Sequence, residues 1–107
     1  MLNPDQWKTI YGLVGWLDRE NGCSQQEICL RLLKLSEEAG EVAQAWIGTV
    51  GQNPRKGTTH TRADVCEELC DVIVTAAVAL VSIADGNPDD FLAAKLDKIA
   101  ARVGVTG

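Results

Sequence analysis

The sequence predicts an all-α chain of four helices, on three observations. Apolar residues step by three and four through four stretches, each stretch opens on a recognisable helix cap, and no segment alternates at the period of a strand. With 107 residues, the chain is one domain, able to bury roughly two-thirds of its unfolded surface. Residues 1–107 read as a single unit with no internal repeat or low-complexity segment.

Each element follows from local chemistry. Asn3-Pro4-Asp5 supplies a cap and then proline in the first turn. The first helix carries Trp7, Ile10, Leu13, Val14 and Leu17 and stops near Asn21-Gly22. Ser24-Gln25-Gln26-Glu27 has the form of a capping box. Behind it Ile28, Leu32, Leu35, Ala39, Val42 and Trp46 make an amphipathic stripe, the expected packing face of the second helix. Gly48 to His60 interrupts this pattern and reads as a loop. The third helix starts near Thr61 to Asp64 and continues through Val65, Leu69, Val72, Ala76, Leu80 and Ile83. Asn87-Pro88-Asp89-Asp90 opens the fourth, which carries Phe91, Leu92, Leu96, Ile99 and Val103 and ends at Gly104.

From Val72 to Ala84 the third helix is apolar on nearly every side. Such a helix must be covered all round. Four short helices hardly surround it, so the expectation is a bundle completed by a second subunit; burial by its own three neighbours is the alternative.

Composition narrows the function. Hydrophobic residues make up 46% and charged residues 23%, which excludes a largely disordered chain. Ten basic against fifteen acidic side chains give a net charge of −5, unfavourable for a general nucleic-acid binder. The longest apolar run is too short to span a bilayer, and no arginine-rich or charged-then-apolar leader opens the sequence, so a cytoplasmic protein is expected. Cys23, Cys29, Cys66 and Cys70 lack the repeated pair spacing of a zinc site. Reduced thiols packed as small hydrophobes are expected.

The chemistry concentrates in Glu37-Glu38-Ala39-Gly40-Glu41 and Glu67-Glu68-Leu69-Cys70-Asp71. Glu38 with Glu41, and Glu68 with Asp71, are three apart and share a helical face beside the apolar stripe. Antiparallel packing of the two helices brings all four carboxylates together. A hard divalent cation then offsets their repulsion, and an all-oxygen donor set suits Mg²⁺, with Mn²⁺ also possible. The alternative is a solvated acidic face with ion pairs such as Lys34–Glu38. A redox di-iron site would want Glu-x-x-His pairs, and the one histidine is His60 in the loop. Gly40, costly in a helix interior, suggests close approach of a helix or ligand.

Glu37-Glu38-x-x-Glu41 followed after 26 residues by Glu68-x-x-Asp71, within Leu33-Lys34-Leu35-Ser36-Glu37-Glu38-Ala39-Gly40-Glu41-Val42-Ala43 and Glu68-Leu69-Cys70-Asp71-Val72, resembles the MazG-like family of all-α nucleoside triphosphate pyrophosphohydrolases. The resemblance covers roughly residues 25–103. It implies a helical bundle completed as a homodimer or homotetramer. It implies Mg²⁺-dependent cleavage between the α and β phosphates to a nucleoside monophosphate and pyrophosphate, with nucleotide-pool housekeeping as the role it suggests. Glu38, Glu41, Glu68 and Asp71 would be metal ligands, with Glu37, Glu38 and Glu41 in the catalytic group. Glu37 would orient or deprotonate the attacking water, or else pair with Lys34 on the surface. Lys34, Arg55, Lys56, Lys95, Lys98 and Arg102 are the candidate triphosphate contacts, and Lys98 and Arg102 match a Lys-x-x-x-Arg pattern of many relatives. Leu96 stands where those relatives often carry asparagine. Trp46 would stack on a base or pack in the core. A catalytically silent helical interaction or regulatory module with a vestigial metal site is the other expectation. Six of the fifteen acids lie in the two motifs; the remainder balances ten basic against nine acidic residues.

Overall fold

A computed structural model describes residues 2–105. They form α1 (Pro4–Asn21), α2 (Gln25–Val50), α3 (Arg62–Ile83) and α4 (Pro88–Val103), with no strand among the described residues. The caps explain the boundaries. Asn3 and Gln6 satisfy each other's amides at 2.9 and 2.8 Å, and Thr61 and Asp64 do the same at α3. Holding the Asp64 carboxylate in these bonds lowers its pKa below the ordinary aspartate value. At Ser24 only half of the expected box forms. The hydroxyl accepts from the Glu27 amide, while the Glu27 carboxylate turns to Arg31 at 2.9 Å.

α2 and α3 run antiparallel, because contacts pair the start of one with the end of the other. Arg31 donates to Ser82 Oγ at 3.0 Å, and Thr49 Oγ1, which shares its proton with the Ala45 carbonyl at 2.8 Å, lies 3.3 Å from the Thr61 carbonyl. Helix α2 outlasts the predicted break at Gly48 by two residues. It ends at Gly51, whose φ of 65° is the left-handed conformation that glycine adopts without strain. The loop then doubles back, and the amides of Thr59 and His60 both donate to the Gly48 carbonyl. A Cβ at Gly48 would lie 2.2 Å from His60 Nδ1 and 2.4 Å from Thr59 Oγ1. The glycine required for close approach is therefore Gly48. Around Gly40, where the sequence suggested it, a Cβ meets nothing within 4 Å.

Against this pair lies α1. Trp7 and Ile10 pack with Ala77 in a small core edged by Leu2, Val78, Leu80, Val81 and Leu92. Its far end is held by charge: Arg31, only 6% exposed, also contacts Asp18 at 2.9 Å and the Gly22 carbonyl at 3.0 Å. A single guanidinium thus ties α1, α2 and α3 together.

The buried residues of α2 are Arg31, Glu38, Ala45 and Gly48. Of the predicted stripe, Ile28, Leu35 and Val42 are half-buried, while Leu32, Ala39 and Trp46 face outward. The helix is rotated from its most apolar orientation because Arg31 turns inward to its partners Asp18 on α1 and Ser82 on α3. All four cysteines are exposed rather than packed as small hydrophobes.

The chain's own helices leave much apolar surface open. Leu69, Ile73, Val74 and Ile83 of α3 are exposed, as are Phe91, Leu96, Ile99 and Val103 of α4. α4 is bent from α3 by 117° and is tied down near its start, where the Trp7 indole donates to Asp89 at 3.0 Å. The radius of gyration is 16.8 Å, against about 13 Å for a compact chain of this length. The difference comes from helices that splay instead of closing a bundle. No single helix among the described residues is long and apolar enough to cross a membrane.

The two glycines give opposite expectations. Replacing a mid-helix glycine by alanine in open space stabilises by about 1 kcal/mol, so Gly40→Ala should raise the melting temperature. Gly48→Ala should lower it, because overpacking costs about 1–3 kcal/mol. Thermal melts of the two variants by circular dichroism check both signs.

Candidate metal centre

Midway between the two pins, the i,i+3 pairs of α2 and α3 face each other. One carboxylate oxygen from each of Glu38, Glu41, Glu68 and Asp71 lies within 4.8 Å of the others. Glu38 is buried, Glu41 and Glu68 are half-buried and Asp71 is exposed, so the cluster has a closed floor and an open side. Glu68 Oε2 is buried and no donor reaches it. The Glu41 carboxyl is pushed above the ordinary glutamate pKa, first by the Glu68 carboxyl within hydrogen-bonding reach and then by the negative charge of Glu38.

Four carboxylates, a buried oxygen without a donor and no thiolate or imidazole among them form a hard donor set. Such a set offers a hard divalent cation one oxygen each from Glu38, Glu41, Glu68 and Asp71. The arrangement also contains the ion pair expected of a solvated face: Lys34 Nζ lies 3.3 Å from Glu38 Oε1. Glu38 is nonetheless buried. Lys34 partly neutralises the cluster from one edge without separating the carboxylates.

The other candidates are placed unevenly. Glu37 is two-thirds exposed and lies 3.9 Å from Lys34, beside the cluster rather than within it. Arg55 is exposed on the loop, its amide donating to Asn53. Lys56 lines a hollow of about 270 Å³ with Gln44, Gly48 and His60, one turn along α2 from Glu41. Lys95, Lys98 and Arg102 are exposed on α4 and form no ion pair with the cluster among the described residues. Trp46 is 43% exposed, with the Arg62 guanidinium 5.3 Å above its ring. It packs on an arginine and not in the core.

Two residues that the sequence reading passed over matter here. Arg31 holds the frame, and its signal was Glu27 four residues before it. Arg62 covers Trp46, and no local pattern links the two, since they meet only when α2 and α3 pair.

Neutralising one carboxylate should separate stability from metal binding. Asp71→Asn removes a like charge, so the chelator-treated variant should melt above chelator-treated wild type. Mn²⁺ at 100 times its Kd stabilises a one-site protein by about 2.7 kcal/mol, and this gain should shrink in the variant. Thermal melts with chelator and with Mn²⁺ test both halves.

Compared with models of known families, with curated proteins and with solved structures, the chain matches none.

Proposed function

We propose that this protein is a magnesium-dependent nucleoside triphosphate pyrophosphohydrolase of the MazG-like type. It would cleave between the α and β phosphates, giving a nucleoside monophosphate and pyrophosphate. The observation that carries the reading is the convergence of Glu38, Glu41, Glu68 and Asp71 on one partly open volume. The motif spacing, which resembles that family, supports it.

On this reading the four carboxylates would hold the cation, which when bound would supply Lewis-acid polarisation of the phosphoryl oxygens and an acidified water. Mn²⁺ would substitute for Mg²⁺. Glu37, exposed beside the cluster, orients the attacking water and accepts its proton. The water oxygen bonds to the α phosphorus, and the bond to the bridging oxygen breaks, so that pyrophosphate leaves with that oxygen. Lys34, already against Glu38, is the cation nearest the reacting phosphates. Lys56 and Arg55 in the loop are placed for the phosphate tail.

The working unit is a homodimer or a pair of dimers. Support comes from the seam Leu69, Ile73, Ala76 and Leu80, exposed at its first two positions and half-buried at the last two, whose +4, +3, +4 spacing is that of a helix-packing surface. Ile73, Ala76 and Leu80 line an apolar hollow of about 400 Å³ with Trp7 and Leu92. A single copy leaves this surface to water.

With Mg²⁺ and a panel of nucleoside triphosphates, wild type should release pyrophosphate, and phosphate should be absent. Glu41→Gln and Asp71→Asn should each lower turnover about a hundredfold or more, since even groups behind metal ligands matter 10–100-fold. No pyrophosphate from any triphosphate would leave the silent helical module as the better reading. Sedimentation at micromolar concentration should show a dimer or tetramer, and Ile73→Asp should shift it towards the 11.5 kDa chain. A wild-type monomer at that concentration would remove the oligomer from the proposal.

A further inference from the structure

A cleft of about 420 Å³ opens between α1, α2 and α3, within the range of about 300–1,000 Å³ usual for small-molecule sites. It adjoins the carboxylates on both helices. Lys34 lines it, one turn before Glu38 on α2, and Val74 and Thr75 line it, one turn after Asp71 on α3. Four residues of helix advance about 6 Å, so the cleft begins about one nucleoside's length from the metal ligands. Lys34 joins the two, since its Nζ lies 3.3 Å from Glu38 Oε1.

The chemistry of the walls selects the occupant. Leu13 and Leu30 are exposed there beside Trp16, which is 53% exposed. The Trp7 indole is engaged with Asp89, while the Trp16 indole makes no hydrogen bond among the described residues. Thr9, Thr49 and Ser82 each donate to the carbonyl four residues earlier. Thr75, on the cleft wall, makes no such bond among the described residues. The Arg31 guanidinium at the inner end is already committed to Glu27, Asp18, Ser82 and Gly22. No free cation therefore draws a phosphate inward, and Lys34 waits at the mouth. The site accepts a flat, neutral, largely apolar group whose charged end stays over the carboxylates.

We infer that this cleft holds the base and sugar of the nucleotide, with Trp16 as the stacking face and Thr75 Oγ1 as a base-edge contact. The inference rests on the pyrophosphohydrolase reading for its choice of ligand. Because the walls are mostly apolar, discrimination among bases is modest, as hydrophobic pockets separate close analogues weakly. Trp16 sets affinity for all bases, and Thr75 sets their order.

The test uses the whole chain in chelator, with AMP, GMP, CMP and UMP as probes in titration calorimetry, followed by steady-state kinetics with Mg²⁺. Stacking on an aromatic ring contributes about 1–3 kcal/mol per base, so Trp16→Ala should weaken monophosphate binding about tenfold or more. KM should rise to match while kcat changes little, and Mn²⁺ affinity should be unaffected. Trp16→Phe should restore most of the binding, and Thr75→Val should reorder the four monophosphates. Unchanged binding and KM in Trp16→Ala, with turnover intact, would overturn the cleft and leave the pyrophosphohydrolase reading standing. Shielding of Trp16 from acrylamide in wild type, with dissociation of Trp16→Ala into monomers, would also overturn it, since a second copy then fills the cleft. Trp16-dependent monophosphate binding without any pyrophosphate release would support the cleft and sink the reaction.

Discussion

The pairing of α2 with α3 is held at both ends by polar contacts, and the four carboxylates lie between them. At one end Arg31 reaches Ser82; at the other Thr49 reaches the Thr61 carbonyl, and the loop hooks onto Gly48. Like charges brought this close repel. Two helices joined only by apolar contact through their middle could relieve that repulsion by sliding or parting. Fixed at both ends, they keep the carboxylates together, and the repulsion stays in the folded state. The donor set, the displaced titration of Glu41 and the unpartnered Glu68 oxygen follow from that constraint.

The same constraint explains why so much apolar surface faces outward. The inward face of α2 is spent on Arg31, Glu38, Ala45 and Gly48, a charged and small-residue face. Bulky apolar side chains on the same helix, such as Leu33, Trp46 and Ile47, are left exposed. Along α2 the usual partition is thus partly inverted, while α1 and α3 still bury Trp7, Ile10, Val14, Ala77 and Ala79.

Helix ends were legible because capping is local. Asn3, Ser24, Thr61 and Asn87 each precede their helix and accept from its first turn, and each can be recognised from three or four neighbouring residues. The four acidic ligand candidates were legible for a related reason, since i,i+3 spacing puts a pair on one face whatever the tertiary context. The rotation of α2 was not. Two overlapping stripes run along it, and the more apolar one contains Leu32 and Trp46. Only the long-range partners Asp18 and Ser82 decide that Arg31 turns inward. Gly40 and Gly48 could not be told apart either, because a glycine's reason lies in what approaches it. What approaches Gly48 is a loop returning from Thr59 and His60, eleven and twelve residues along the chain.

That returning loop separates two jobs that connecting segments often combine. Thr59 and His60 grip Gly48, so the stagger of α3 against α2 is set at the grip and not by the number of residues between. Residues around Pro54 to Lys56 hang outside the grip as an exposed tip. Tips of this kind accept extra residues at little cost, since loop-closure entropy grows only slowly with length. Lengthening or grafting at the tip would thus change what the protein presents beside the carboxylates while leaving their spacing as it is. The segment is an adjustable attachment point on an otherwise rigid frame.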